Sequence, residues 1–462
     1  MKRFIAITLF APLTLSICAA CSAPASVTAE PTPPPADKTL NICVVGDSIT
    51  HNGTYLRNIE LYMLTRYPET PTRWYNCGLG GETARRYFTI LEEDLYAKNP
   101  DKVIIMFGMN DLNLELYGRN PESNRKSKDS AINGYQNAMR ALVEDITAHG
   151  VGDITLLVPS PFDNALEKST MKNCPGYNDA LQSTKTFLEE LAAEYGCAVV
   201  DMNTPLAAYN QAYRDATGED VTVIGSDRIH PGTLGAWLMA YCYIDQMNLR
   251  EELAGVQIDA AAKKVTAIAG AGVTGIKTKN GSLTFTYNPW RLPFYPSDDY
   301  ELANTLAPLT QRYNRELLSI INLEPGQYQL LAKNTTDLGT YSADELAAGM
   351  NLFEAKLNPN RLAAQSLYRV AEDLRKEDEN LRRIRILQLY IALRKLDIND
   401  PDEMAQGVAY FKESGGDFEK WLVQLYETYP IDGFEALLDE YREKMLTMNK
   451  PVSYEITVKK VD

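Results

Sequence analysis

The sequence predicts an α/β protein with a five-stranded parallel sheet, followed by a second α+β domain rich in helix. Three observations carry this. Short apolar runs alternate with helical stretches from Thr39 to about Leu253; the pattern changes to hairpins and then long helices after residue 255; and 462 residues exceed what one compact core usually holds. Hydrophobic residues at 45% and charged residues at 23% supply enough apolar material for a sizeable core in each part.

The N-terminus reads as an export signal over residues 1–20. Lys2 and Arg3 precede an apolar stretch at 4–17, which is too short to span a bilayer, since spanning takes about 20 residues. Ala19-Ala20-Cys21 resembles the end of a bacterial lipobox, with Cys18 where such boxes usually carry leucine, so Cys21 is expected to carry a lipid anchor; a plain secretory cut nearby is the other reading. Residues 21–38 hold Pro24, Pro31, Pro33, Pro34 and Pro35 among small polar residues and read as a tether. The expectation is therefore an exported protein, anchored in the membrane on its outer side or secreted.

In the 39–255 domain, the runs 41–45, 73–76, 103–107, 154–158 and 198–201 read as strands. Between them, 54–67, 131–148 and 184–195 carry apolar residues at helical spacing; Leu56, Ile59 and Met63 fall on one face. Strand and helix in alternation place helices on both faces of a parallel sheet, and ligands then bind beyond the C-terminal strand ends. In the 256–462 domain, Asn280-Gly281 joins two strand-like runs as a hairpin, further strands are expected at 317–321 and 328–331, and 452–458 closes the chain. Leu367, Val370, Leu374, Leu381 and Ile384 keep one apolar stripe through a charged helix, and 418–429 and 434–448 extend the helical part.

Charge narrows the partners. Lys and Arg total 46 against 61 Asp and Glu, a net −15 that repels nucleic acid and anionic membranes. No nucleic acid is expected, and a membrane only through Cys21. After Cys18 and Cys21, five cysteines remain, an odd number; with no Cys-x-x-Cys in the mature chain and three histidines in all, neither a disulfide framework, a metal site nor a cofactor is expected.

Chemistry concentrates after the strands. Gly46-Asp47-Ser48 follows the first strand and precedes the first helix, where a helix N-terminus favours developing negative charge. A serine nucleophile needs a base. His149, before Gly150, reads as a surface residue near a helix end, and His51 is too close in sequence to Ser48 to be aimed well, though it can line the pocket. His230 remains, and Asp227, three residues earlier, can take one imidazole N–H while the other nitrogen faces the serine. Ser48 N–H, Gly81 N–H and the Asn110 side-chain amide are the candidate oxyanion donors. Asp111, beside Asn110, joins His51 as a candidate substrate contact. The glycine pattern 270–275 leads into a hairpin, not a helix, which excludes a dinucleotide fingerprint; two Ser-x-x-Lys matches lack companion motifs; and Gly-x-Ser-x-Gly is absent.

With these residues in hand, the chain resembles the SGNH hydrolases, the GDSL esterase/lipase superfamily, over roughly 39–250. The resemblance rests on Gly46-Asp47-Ser48, Gly81 before Glu82-Thr83, Gly108-Met109-Asn110-Asp111 and Asp227-Arg228-Ile229-His230-Pro231, in that order; Ile49 stands where the family's name-giving leucine would be. It implies a flavodoxin-like three-layer α/β/α sandwich and metal-free ester hydrolysis. Leu292-Pro293-Phe294-Tyr295-Pro296, Tyr313-Asn314-Arg315-Glu316 and Pro325-Gly326-Gln327-Tyr328 resemble a C-terminal extension on some bacterial exported members. Together with export and the acidic surface, this leads to an expected serine esterase acting on a short-chain acyl ester, foremost an O-acetylated carbohydrate. A lysophospholipase or thioesterase and a non-catalytic surface glycan-binding protein are the competing expectations.

Overall fold

The computed structural model describes residues 38–118, 123–250, 253–295, 297–429 and 431–461. The export signal, Cys21 and nearly all of the tether lie outside them.

Five apolar runs form the first sheet: β1 Leu40–Gly46, β2 Thr72–Gly78, β3 Lys102–Met106, β4 Asp153–Val158 and β5 Ala198–Asp201. All neighbours pair parallel in the order β2-β1-β3-β4-β5. That is the flavodoxin-like order, whose switch point falls between β1 and β3. Strand interiors such as Val44, Val45, Ile104 and Ile105 are buried because helices cover both faces, giving the three-layer α/β/α sandwich. Each expected strand is present, with its ends within two residues of the expected ones.

Two more sheets follow. One is four-stranded and mixed, with Ala254–Asp259 pairing parallel to Glu316–Ile321. The other is five-stranded and antiparallel, and it places the final strand Tyr454–Lys460 in its middle, between Ser282–Pro289 and Gln327–Ala332. Both share a small core that includes Phe285, Leu330, Ile320 and Ile456.

The helices that follow belong elsewhere. The 34-residue helix Pro359–Ala392, about 50 Å long, buries Leu367, Leu374, Leu381 and Ile384 in the same core as the parallel sheet. Asp378 and Arg382 of its charged stretch are buried too. Arg57 of the helix Thr54–Arg66 donates to Asp378 at 2.8 Å, and Arg382 makes a two-pronged pair with Asp94, both contacts 2.6 Å. Phe294 of the Leu292-Pro293-Phe294-Tyr295 segment meets the Tyr62 ring edge-on at 5.5 Å. The larger core therefore runs through residues on both sides of position 255. Among the described residues no helix is long and apolar enough to cross a membrane, and Cys43, Cys77, Cys174, Cys197 and Cys242 are free thiols.

Candidate active site

Ser48 opens the short helix Ser48–Asn52 directly beyond β1. The turn is tight because the backbone crosses close to β3: a Cβ on Gly46 would lie 2.6 Å from the Met106 carbonyl oxygen, so only glycine fits. Asp47 caps the helix, accepting the Ile49 N–H at 3.0 Å. Burial pushes the Asp47 carboxyl up to about 7, against the pull of that amide. As the first residue of its helix, Ser48 has an N–H with no partner inside it.

The serine hydroxyl lies 2.8 Å from His230 Nε2, and His230 Nδ1 lies 2.6 Å from Asp227 Oδ2. Asp227 Oδ1 also accepts the backbone N–H groups of Ile229 at 3.0 Å and His230 at 2.9 Å. Burial acts to raise the Asp227 carboxyl, but the amides and the imidazole outweigh it and hold the group below the usual carboxylate range. An ionised Asp227 takes the Nδ1–H, which leaves the Nε2 lone pair facing the serine. Between them, Arg228 sits at φ +68°, a costly value for a residue with a Cβ. Its buried guanidinium holds the turn by donating to the carbonyls of Asp163 at 2.7 Å and Met171 at 3.1 Å.

The loops after β2 and β3 complete the edge. Gly81 is exposed at φ +77°, with open space where a Cβ would be. Asn110 Nδ2 donates to the Glu82 carbonyl at 2.9 Å, which ties the two loops together and leaves its second N–H free to bond elsewhere. Asp111 is occupied differently: its two carboxylate oxygens accept the N–H groups of Ala84 at 2.9 Å and Gly108 at 3.0 Å. Burial pushes this carboxyl up to about 6 despite those amides. Its visible work is to fasten the loop that carries Asn110.

Ser48 and His230 share a pocket of about 170 Å³ with His51, Asn52, Tyr55 and Glu379, among others. His51 is nine-tenths buried, and burial, reinforced by the Arg382 and Arg383 charges, pushes its imidazole down to about 3. It is a neutral wall. Glu379 comes from the long helix, 149 residues after His230 in the chain, and is held between Arg375 at 3.1 Å and Arg383. It was not expected from sequence. Nothing in the charged run around it marks it out, and of its neighbours Asp378 and Arg382 are buried by tertiary packing. Tyr117, in the segment that follows Asn110 and Asp111, is buried against Tyr177 at 5.2 Å. His149 stacks on Tyr96 away from the pocket.

Known proteins resemble this chain in sequence and fold. Residues 44–238 match the GDSL-like lipase/acylhydrolase family. An acetylxylan esterase from Geobacillus stearothermophilus is 24% identical over 219 residues, which cover 44% of this chain and 92% of that protein. A gut microbial diltiazem-metabolizing enzyme superposes with a TM-score of 0.84 at 25% identity, over 92% of this chain and 98% of its own, so the likeness includes the segment beyond residue 255. Residues 44–238 carry a GDSL-like lipase/acylhydrolase domain, and the protein is a carboxylic ester hydrolase.

Proposed function

We propose that the protein removes short acyl groups, acetyl foremost, from an O-acylated carbohydrate by a Ser48–His230–Asp227 triad. The observation that carries this is the unbroken relay of 2.8 Å and 2.6 Å from hydroxyl to imidazole to carboxylate. Ser48 Oγ attacks the ester carbonyl while His230 Nε2 takes its proton, and Asp227 steadies the imidazolium. Ser48 N–H, Gly81 N–H and Asn110 Nδ2 hold the oxyanion. The alcohol leaves with the proton from His230; a water activated by the same nitrogen then attacks the acyl-serine and frees the acid.

A small acyl group suits a pocket of about 170 Å³, in which Ile49, Tyr55, Pro231, Ala236 and Met239 stand beside His51, Asn52 and the Glu379 carboxylate; its size, not its lining, favours a short chain. The name of the acetylxylan esterase relative supports a carbohydrate acetate. A second reading, action on a drug-like small molecule, is favoured by the diltiazem-metabolizing neighbour. The proposal extends to place: Lys2, Arg3, the apolar 4–17 run and Cys21 support an exported enzyme held to a membrane by a lipid on Cys21.

The test is acetate release from acetylated oligosaccharides, run beside aryl esters of increasing acyl length and diltiazem. Highest kcat/KM on an acetylated glycan and a steep fall beyond short acyl chains are expected. Preference for long chains would favour a lipid substrate and overturn the proposal.

A further inference from the structure

The parallel-sheet unit does not close the catalytic pocket alone. Glu379 enters its wall from the helix Pro359–Ala392, and Arg383, one turn later, pairs with Glu379. The Arg383 guanidinium in turn lies 5.4 Å from the centre of the Trp421 ring. Trp421 is 41% exposed and Phe418 47%, their rings 5.9 Å apart and tilted by 33°. The two are three residues apart on the helix Asp417–Thr428, hence on one face, while Leu422 and Val423 anchor the helix in the core. The same long helix brings Ile386 against the oxyanion side, where a Cβ on Gly80 would meet its Cδ1 at 3.5 Å.

A chain of contacts therefore leads from the pocket: Glu379 in its wall, then the ion pair with Arg383, then two exposed aromatic rings. Its order matters. A lipid chain leaving the pocket would meet the Glu379–Arg383 pair first and desolvate it without return. A sugar chain offers the complement, because each ring has apolar C–H faces that pack on aromatic rings and hydroxyl edges that bond to carboxylate and guanidinium.

We propose that Glu379, Arg383, Trp421 and Phe418 form a subsite for the sugar residues adjoining the acylated one, so that the segment beyond residue 255 sets preference for oligomeric glycan esters. This rests on the glycan-ester reading above and adds the residues that recognise the alcohol half. One helical turn separates Glu379 from Arg383, about 6 Å along the axis. The aromatic pair stands beyond Arg383 as counted from Glu379, so it is proposed to meet the adjoining sugars and not the acetyl group.

The experiment uses the full-length protein and two substrates, p-nitrophenyl acetate and acetylated xylo-oligosaccharides. The quantity read is the ratio of kcat/KM on the oligosaccharide to that on the aryl ester. Trp421→Ala is expected to lower the ratio about tenfold, the weight of one stacking face. Phe418→Ala should lower it less, and Trp421→Phe should restore most of it, which a merely misfolded variant would not do. If both alanine variants keep the wild-type ratio while the wild type cleaves both substrates, the subsite is wrong and the glycan-ester reading stands. If the wild type cleaves the aryl ester but releases no acetate from the oligosaccharide, that reading falls and the subsite with it.

Discussion

In the proposed mechanism Asn110 and Asp227 divide the work around Ser48, and their losses should differ in kind. Asn110→Ala removes one oxyanion donor and is expected to cost about 10²–10³ in kcat. Asp227→Asn keeps the shape but offers the imidazole a donor where it needs an acceptor, and should cost about 10⁴. Steady-state kinetics on an aryl acetate check both; a loss below tenfold for Asp227→Asn would remove it from the relay. Glu316 permits a separate test of stability. Burial pushes its carboxyl up to about 7 from an ordinary 4.5, although Asn358 Nδ2 at 2.7 Å pulls the other way. The unfolded chain therefore releases this proton first as pH rises. The group's contribution is complete below about pH 4 and declines as pH climbs towards 7. Glu316→Gln should remove that decline, so its melting temperature should improve relative to wild type between about pH 5 and about pH 8. Parallel curves for the two proteins would contradict the assignment.

At the scale of elements, the helix Pro359–Ala392 is the piece on which the site and the core both depend. Asp94 is fully buried with Arg382, and Tyr87 donates to it at 3.0 Å. Removing one partner leaves a buried charge uncompensated, so Asp94→Asn should destabilise the protein by about 3–5 kcal/mol in chemical denaturation, and replacing both by apolar residues of similar size should recover most of it. A cost under about 1 kcal/mol would mean water reaches the pair. Elements differed in how plainly the sequence announced them. The five parallel strands were legible because most of their interiors are runs of apolar residues bounded by polar turns, β2 with Arg73 and Asn76 being the least plain, and the motifs beyond them named Ser48, Asn110 and His230. The helix Arg125–Ala148 starts six residues before the expected 131, since Arg125 to Ser130 contains no apolar residue to set a period. The helix Pro401–Ser414 went unread for a related reason: it buries only Met404 and Gly407. Glu379, Asp378 and Arg382 were illegible because a buried charge and a solvated one look the same in a sequence. Arg57, the partner of Asp378, and Asp94, the partner of Arg382, lie far away in the chain.

For the whole molecule, the decisive fact is a core shared across position 255. Leu374, Leu381, Ile384 and Phe294 bury apolar surface in common with the parallel sheet. A chain ending near Arg250 would expose that face and leave Arg57 and Asp94 buried or bared without their partners. It is expected to be aggregated or molten, with no cooperative thermal transition; a truncated protein that melts cooperatively and hydrolyses an aryl acetate at the full-length rate would separate the two parts after all. The central claim is that ester cleavage passes through an acyl group on Ser48. Intact-mass and peptide analysis of the full-length protein, quenched during turnover of an acetyl ester with Asp227→Asn used to slow deacylation, tests it most directly. One added acetyl group on the peptide containing Ser48, absent in Ser48→Ala, is the predicted result. Turnover with no adduct there, or an adduct on another residue that persists in Ser48→Ala, would contradict it.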